Sequence, residues 1–432
     1  MVKNKKYNRR LDSQAKVFTL VSNPKYCSVF RFTVRLKEKI DGEVLLNAYK
    51  GAFEKFKAYK VKLHFGLFEY SLVENDKEPK IFEVDEEPVI KKINNKDNND
   101  YLVKLTYSGE ELYFDFYHAL TDGTGAVKFI RDVLGRYFEL KYNTEEKEYL
   151  LDKTVIQDSE DIYIKLSSKY EKVNYPFSEG FRVFGTTRKD DNVEINHFSL
   201  NINEFKNKAK EKGATISMYI TAIIAYTFYL LSRENKYKQN RKGKDLKPIN
   251  LCIPISLEKY FEERTLSNFF SHMFVSFDLK DNKEYTFDEM LDSTKLQYEE
   301  KIKLEKIMGV LNGNITKMNN PVLKIIPLAI KKFSFVAGSL KMKKQFSMTV
   351  SNVGKLEYDS KFNDYIDSSY VTLACDWAEK VKCGICSYEN DLVVTFGTLL
   401  NDVSLESKFK EILLENNIGF EIEGNEVNVI SM

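Results

Sequence analysis

One histidine stands where chemistry could be done: His118, one of only four in 432 residues, is followed at a spacing of four by Asp122 and then by Gly123. Imidazole has an ordinary pKa of about 6.5, so at neutral pH it is mostly unprotonated and can accept a proton from an alcohol or an amine. Placed at the end of a strand, on a turn and aimed off a sheet edge, it suits general-base work. A lone histidine is more commonly a satisfied structural residue. The chemistry therefore rests on the whole string His118-Ala119-Leu120-Thr121-Asp122-Gly123 and on the elements that hold it.

The stretch 111–117 alternates as a strand does, and 124–141 has the spacing of an amphipathic helix, so the string spans a strand-to-helix turn. Around it the first half reads as a strand at 28–36, a helix capped by Asp41, and strands at 61–73, 101–107 and 111–117. A solvated turn is expected at 94–100, in NNKDNND. The weakly periodic region 151–192 ends in a polar stretch, 186–192, read as the connection between the halves. The second half then repeats the grammar. A strand is expected at 194–200, a helix stopped by Gly213, and a long buried helix at 215–235. Strands follow at 249–256 and 272–279, a charged helix near 285–306, strands at 346–352, 366–375, 379–388 and 391–398, and a closing helix at 404–416. A mixed α/β protein of two similar halves results, 1–180 and 181–432, each a sheet flanked by helices.

Bulk properties restrict the function. With 66 basic against 64 acidic residues the overall balance argues against a dedicated nucleic-acid surface while leaving room for local basic patches. The basic start lacks an apolar segment after it, and the apolar run 220–231 is shorter than the ~20 residues of a membrane span, so a cytoplasmic protein without a span is expected. Five scattered cysteines, Cys27, Cys252, Cys375, Cys383 and Cys386, do not form a disulfide framework. The CGIC at 383–386 lies in a strand, where alternation sends its two thiols to opposite faces, and no metal site is expected from it. The segment 232–248 is rich in Lys and Arg, read as a solvated loop or as a dock for a phosphate-bearing ligand.

His-x-x-x-Asp-Gly after a strand and before a helix resembles the signature of the chloramphenicol acetyltransferase-like superfamily, which includes peptide-synthetase condensation domains, plant BAHD acyltransferases and alcohol acetyltransferases. Further likeness lies in LCIPISLEKYFEERTLSNFF at 251–270, and in MTVSNVG at 348–354, similar to a strand-end segment that faces the active-site tunnel of such enzymes. There are departures. Tyr117 stands where condensation domains usually have a first histidine, and the Asp-Phe-Gly-Trp-Gly of the BAHD enzymes is missing, Trp377 being the only tryptophan. The sequence is most similar to free-standing alcohol acetyltransferases.

The resemblance implies two chloramphenicol acetyltransferase-like halves with a tunnel between them, His118 as general base, and an acyl-CoA cosubstrate in place of a bound cofactor. It further implies a small alcohol or amine as acceptor and a monomeric enzyme. Gly123 would let a backbone N–H approach the oxyanion, and Ser351 or Asn352 would add a donor from the facing half. Asp122 would turn away from substrate and pair with a basic residue, for which Arg264 and Lys259 are the candidates. Gly125 is read as a packing position, and His64, His197 and His272 as structural. Two other readings are a condensation-type enzyme with a carrier-bound donor and a non-catalytic binding or scaffold protein that keeps the fold.

Overall fold

The computed structural model describes residues 8–23, 27–93, 96–143, 155–156, 163, 166, 169–173, 178–189, 193–239, 246–261, 264–279, 284–318, 320–424 and 430–431. The basic loop at 240–245, the residues 190–192 and much of 151–177 lie outside the described residues, and with them part of the expected connection and phosphate dock.

Two open sheets carry the fold. The first has five strands in the order Ile366–Leu373, Val29–Leu36, Glu111–Tyr117, Val103–Ser108 and Ile81–Glu83. All its pairings are antiparallel except the last. Helices Gly42–Lys55 and Gly123–Tyr142 cover one face. Their contact is aromatic, with the Phe129 ring 5.2 Å from Phe53 and 5.4 Å from Phe56. Asp41 caps the first helix as expected, accepting from the amides of Glu43 and Val44.

The second sheet has eight strands, among them Phe270–Phe277, Ile249–Ser256, Met348–Lys355, Val381–Tyr388, Asp391–Thr398 and Glu194–Asn201 in that spatial order. Its middle pairings, 249–256 with 348–355 and 348–355 with 381–388, are parallel. Helix Ile216–Arg233 is long and apolar enough to cross a membrane, but 67% of it is buried inside the protein, so its apolar surface is already used in the core. Cys383 joins the core of the second sheet and Cys386 that of the first, the opposite faces that alternation requires.

The structure corrects several expectations. The segment 61–73 is two strands, Val61–Phe65 and Tyr70–Glu74, because the chain turns back at Gly66, whose amide donates to the Glu69 carbonyl. Strand Ile366–Leu373, expected in the second half's sheet, completes the first sheet by pairing with Val29–Leu36. Side-chain periodicity gives a strand's faces but says nothing about which neighbour satisfies its backbone. Asn98, in the turn expected to be solvated, is buried, and its amide donates to the carbonyls of Tyr101 and Val103. Three helices between 304 and 343 and one at Ser13–Val21 have no counterpart in the sequence reading.

The strand before the motif is stiffened from the side. Arg31 lies opposite Asp115 in the register and grips its carboxylate with Nε at 2.7 Å and Nη2 at 2.9 Å, both residues being buried. The same register brings the Ser28 carbonyl to the His118 amide at 2.8 Å, fixing where the strand ends.

Candidate active site

A cavity of about 280 Å³ opens where the two sheets meet, and His118 lies in its wall. Phe18 stacks on the imidazole at 4.3 Å, and Phe30 and Phe270 flank it at 4.7 and 5.7 Å. Asn268, from the loop before strand Phe270–Phe277, holds the ring by its side chain. Its amide nitrogen donates to Asp12 at 3.1 Å and to the His118 carbonyl at 2.9 Å, which leaves its oxygen to face His118 Nδ1 at 3.1 Å. Since that oxygen can only accept, Nδ1 carries the proton and Nε2 is the basic nitrogen. Burial pushes the ring's pKa down to about 4, against the acceptors at Asn268 and the Thr121 backbone.

Asp122 is buried and works entirely on backbone. One oxygen accepts from Thr124 and Gly125 at 3.0 and 3.1 Å, capping helix Gly123–Tyr142, and the other accepts from Phe269 at 2.7 Å. The carboxylate thus joins the motif turn to the loop that carries Asn268. Burial raises its pKa, while the amides of Phe269 and Gly125 pull it back. Of the basic partners expected for it, Lys259 lies 5.0 Å from the Tyr260 ring; the Asp122 oxygens accept from amides, and Lys128 is the basic side chain whose charge favours the carboxylate. Arg264's side chain lies outside the described residues.

Gly123 lines the cavity, and a Cβ there would meet Val353 Cγ1 at 2.6 Å, so the facing strand approaches as close as a bare Cα permits. Gly125 is tighter still, with 2.1 Å to Thr121 Oγ1 and 2.7 Å to the Tyr59 hydroxyl. Ser351 and Asn352 both reach the cavity from the facing half, beside a register shift in their strand. They are not equivalent. The Asn352 side chain donates to Ser217 at 3.1 Å and accepts from the Gly354 amide at 2.9 Å, whereas Ser351 makes no side-chain hydrogen bond among the described residues.

The sequence reading missed several lining groups. His272 faces the same cavity, with its pKa pushed down to about 4 by burial. Its strand position made it look structural, and only the register, with Phe270 between it and His118, places it in the site. Asn268 lies within the segment 251–270, whose sequence assigned it no role. A charged corner was also missed. Lys382 donates to the Ala374 carbonyl at 2.8 Å and lies 3.6 Å from Asp376 and 3.9 Å from Glu379, and Lys343 pairs with Asp376. Burial disfavours the Lys382 ammonium, but the two carboxylates outweigh it and hold its pKa above the ordinary lysine range. No group of three or more His, Cys, Asp or Glu suited to a metal occurs among the described residues.

His197 is buried elsewhere, its Nδ1 2.8 Å from Thr395, and burial pushes it down to about 3. Three histidines are therefore held neutral in the fold at values well below 6.5, so the unfolded chain binds more protons than the native one between about pH 4 and 6.5. Stability accordingly falls as pH drops through that window. Each of His118 and His272 contributes a loss of ~3 kcal/mol by pH 4. Urea titrations at pH 7.0, 5.5 and 4.5, on the order of this spacing, check it, and His197→Gln, which stays neutral, is expected to flatten the curve.

No protein-family model matches the sequence, and no curated protein does. Solved structures do. Trichothecene 15-O-acetyltransferase from Fusarium sporotrichioides superposes with a TM-score of 0.62 at 10% identity, over 95% of this chain and 94% of that one. The epimerization domain from the third module of tyrocidine synthetase B gives 0.61 at 12% identity, over 95% and 96%. The starter condensation domain of rhizomide synthetase, in complex with C8-CoA, gives 0.60 at 11% identity, over 98% of both chains. Acetyltransferases and peptide-synthetase domains share this architecture, and at such identities the likeness is one of fold. The chain shares the α/β fold of these solved acetyltransferase, epimerization and condensation domains.

Proposed function

We propose that the protein is an acyltransferase that moves an acyl group from a thioester to a hydroxyl or amine, with His118 as general base. The observation that carries this reading is the imidazole itself, with Nδ1 committed to Asn268 and an edge in a cavity lined from both halves of that fold. The two halves, 1–180 and 181–432, form the walls of a tunnel that donor and acceptor enter from opposite ends.

In this mechanism His118 Nε2 takes the acceptor's proton as its oxygen or nitrogen attacks the thioester carbonyl. The tetrahedral oxyanion accepts a hydrogen bond from the Ser351 hydroxyl, the Asn352 amide being engaged by Ser217. Collapse breaks the C–S bond, and the imidazolium returns the proton to the thiolate. A thiol with a pKa near ~8.5 is a good leaving group, so one placed base is sufficient. Asp122 and Gly123 act by geometry, the first holding the Asn268 loop and the second admitting the facing strand.

Asn268 is a positioning residue here, and Asn268→Ala is expected to lower kcat by about 10–100-fold while KM changes little. Its pH profile separates this from a folding defect, because a ring released from Asn268 titrates differently.

The donor we infer first is an acyl-CoA. A carrier-protein-bound donor is the second reading, favoured by the condensation and epimerization domains among the similar structures. Thiol release is measured with a panel of short and medium acyl-CoAs, each with pooled alcohols and amines, in parallel with the same acyl groups on a carrier protein. Acceptor-dependent release from free CoA supports the first donor, and release from the carrier alone supports the second. If neither releases thiol, acyl transfer is wrong and a binding role for the fold takes its place.

A further inference from the structure

One face of the molecule combines exposed apolar side chains with a predominance of lysines. Helices Pro321–Ile325 and Leu328–Lys343 leave Phe333 79% and Ile325 74% exposed, with Val322 and Ile330 also outside the core. Beside them, the turn of the hairpin Val61–Phe65 and Tyr70–Glu74 exposes Leu67 at 71%, and Phe65 and Phe68 with it. The two segments are stitched together: the Leu328 amide donates to the Leu67 carbonyl at 2.9 Å, and Lys331 Nζ to the Phe68 carbonyl at 2.7 Å. A soluble surface seldom gathers this many large apolar side chains in one place.

About one residue in seven of the chain is acidic, yet the stretch 306–356 has nine lysines and no Asp or Glu. Lys324, Lys341 and Lys344 on this stretch are exposed. Lys16 and Lys92 add positive charge close to Lys331 and Lys332, and Glu69 is the one carboxylate acting on Lys331. A second copy of the chain docked here would set lysines against lysines. An anionic lipid surface would attract them, while Phe333, Ile325 and Leu67 enter the headgroup boundary.

We propose that this face seats the protein on an anionic lipid bilayer. The docking itself does not depend on acyl transfer. Its bearing on the cavity does rest on that reading: the same helix lines the cavity with Ser339 and Met342, and an apolar acyl chain or long-chain alcohol dissolved in the bilayer would be drawn from the seated side.

Flotation of the full chain with phosphatidylcholine vesicles, with and without phosphatidylglycerol, tests the docking in the absence of substrate. The expected result is binding to the anionic vesicles at least about tenfold tighter than to the neutral ones, weakened by added salt. The double variant Ile325→Glu/Phe333→Glu and the charge variant Lys324→Glu/Lys341→Glu, all at exposed positions, are each expected to lose about tenfold or more. His118→Ala is expected to float as wild type, so a failure of the catalytic reading leaves this result standing. Absence of binding to anionic vesicles, equal binding to neutral ones, or wild-type binding by both variants would overturn the proposal. Self-association abolished by Ile325→Glu/Phe333→Glu, without vesicle binding, would assign the face to a second copy instead.

Discussion

Replacing His118 by alanine is expected to lower kcat by about 10²–10⁴-fold, the range typical of losing a placed general base. Among the described residues of the cavity wall, the imidazole is the only group whose basic nitrogen is fixed by a side-chain partner on the other one. His272 shares the cavity but has no side-chain hydrogen bond among the described residues, so its ring is not oriented to take over. The variant also removes a ring stacked at 4.3 Å on Phe18 and leaves the Asn268 oxygen without its donor, so native circular dichroism and a melting point are needed beside the rates. With folding matched, the drop should appear in kcat rather than KM, as expected for an interaction that acts in the transition state. Wild-type kcat/KM should stay level down to about pH 5, because the free ring titrates near 4. An alanine variant that turns over at the wild-type rate would remove His118 from the mechanism.

Asp122→Asn is expected to cost about 2–4 kcal/mol of stability, visible as lost soluble yield and a lower urea midpoint. Asparagine has one acceptor oxygen for two sets of donors. If it faces Thr124 and Gly125, its NH₂ points at the Phe269 amide, and if it faces Phe269, the cap of helix Gly123–Tyr142 is lost. Either way two donors meet in a buried place. The Asn268 loop moves with Phe269, so any folded fraction should also show a reduced kcat. A well-folded, fully active Asp122→Asn protein would refute this role.

Much of the scaffold was legible because its signals are local. The strands 111–117, 249–256 and 391–398 have the bounds that alternation predicted, and Asp41 and Gly213 mark the helix ends they were expected to mark. Where local signals compete, the reading failed. The hairpin at 61–74 was read as one strand, because its two arms are both apolar and only the turn at Gly66 divides them. The helices between 304 and 343 escaped notice since their apolar residues lie on exposed as well as buried faces, which blurs the period.

The same division holds at the site. Sequence by itself determined that a histidine ends a strand and that glycines occupy the turn before the next helix, since each of these depends on residues within a few positions of one another; that Asp122 caps that helix emerged only from the structure. Tertiary structure alone decided what those residues meet. Asn268 comes to His118 across 150 residues, Phe269 comes to Asp122 across 147, and Val353 closes on Gly123 from the other sheet. His272, Lys382 and Glu379 enter the cavity only because the edge strand Ile366–Leu373 of the first sheet packs on the inner strands Val381–Tyr388 and Asp391–Thr398 of the second. Spacing along the chain fixes what shares a turn or a face, whereas the pairing of distant segments is set by the burial of whole surfaces, which no short window of sequence contains.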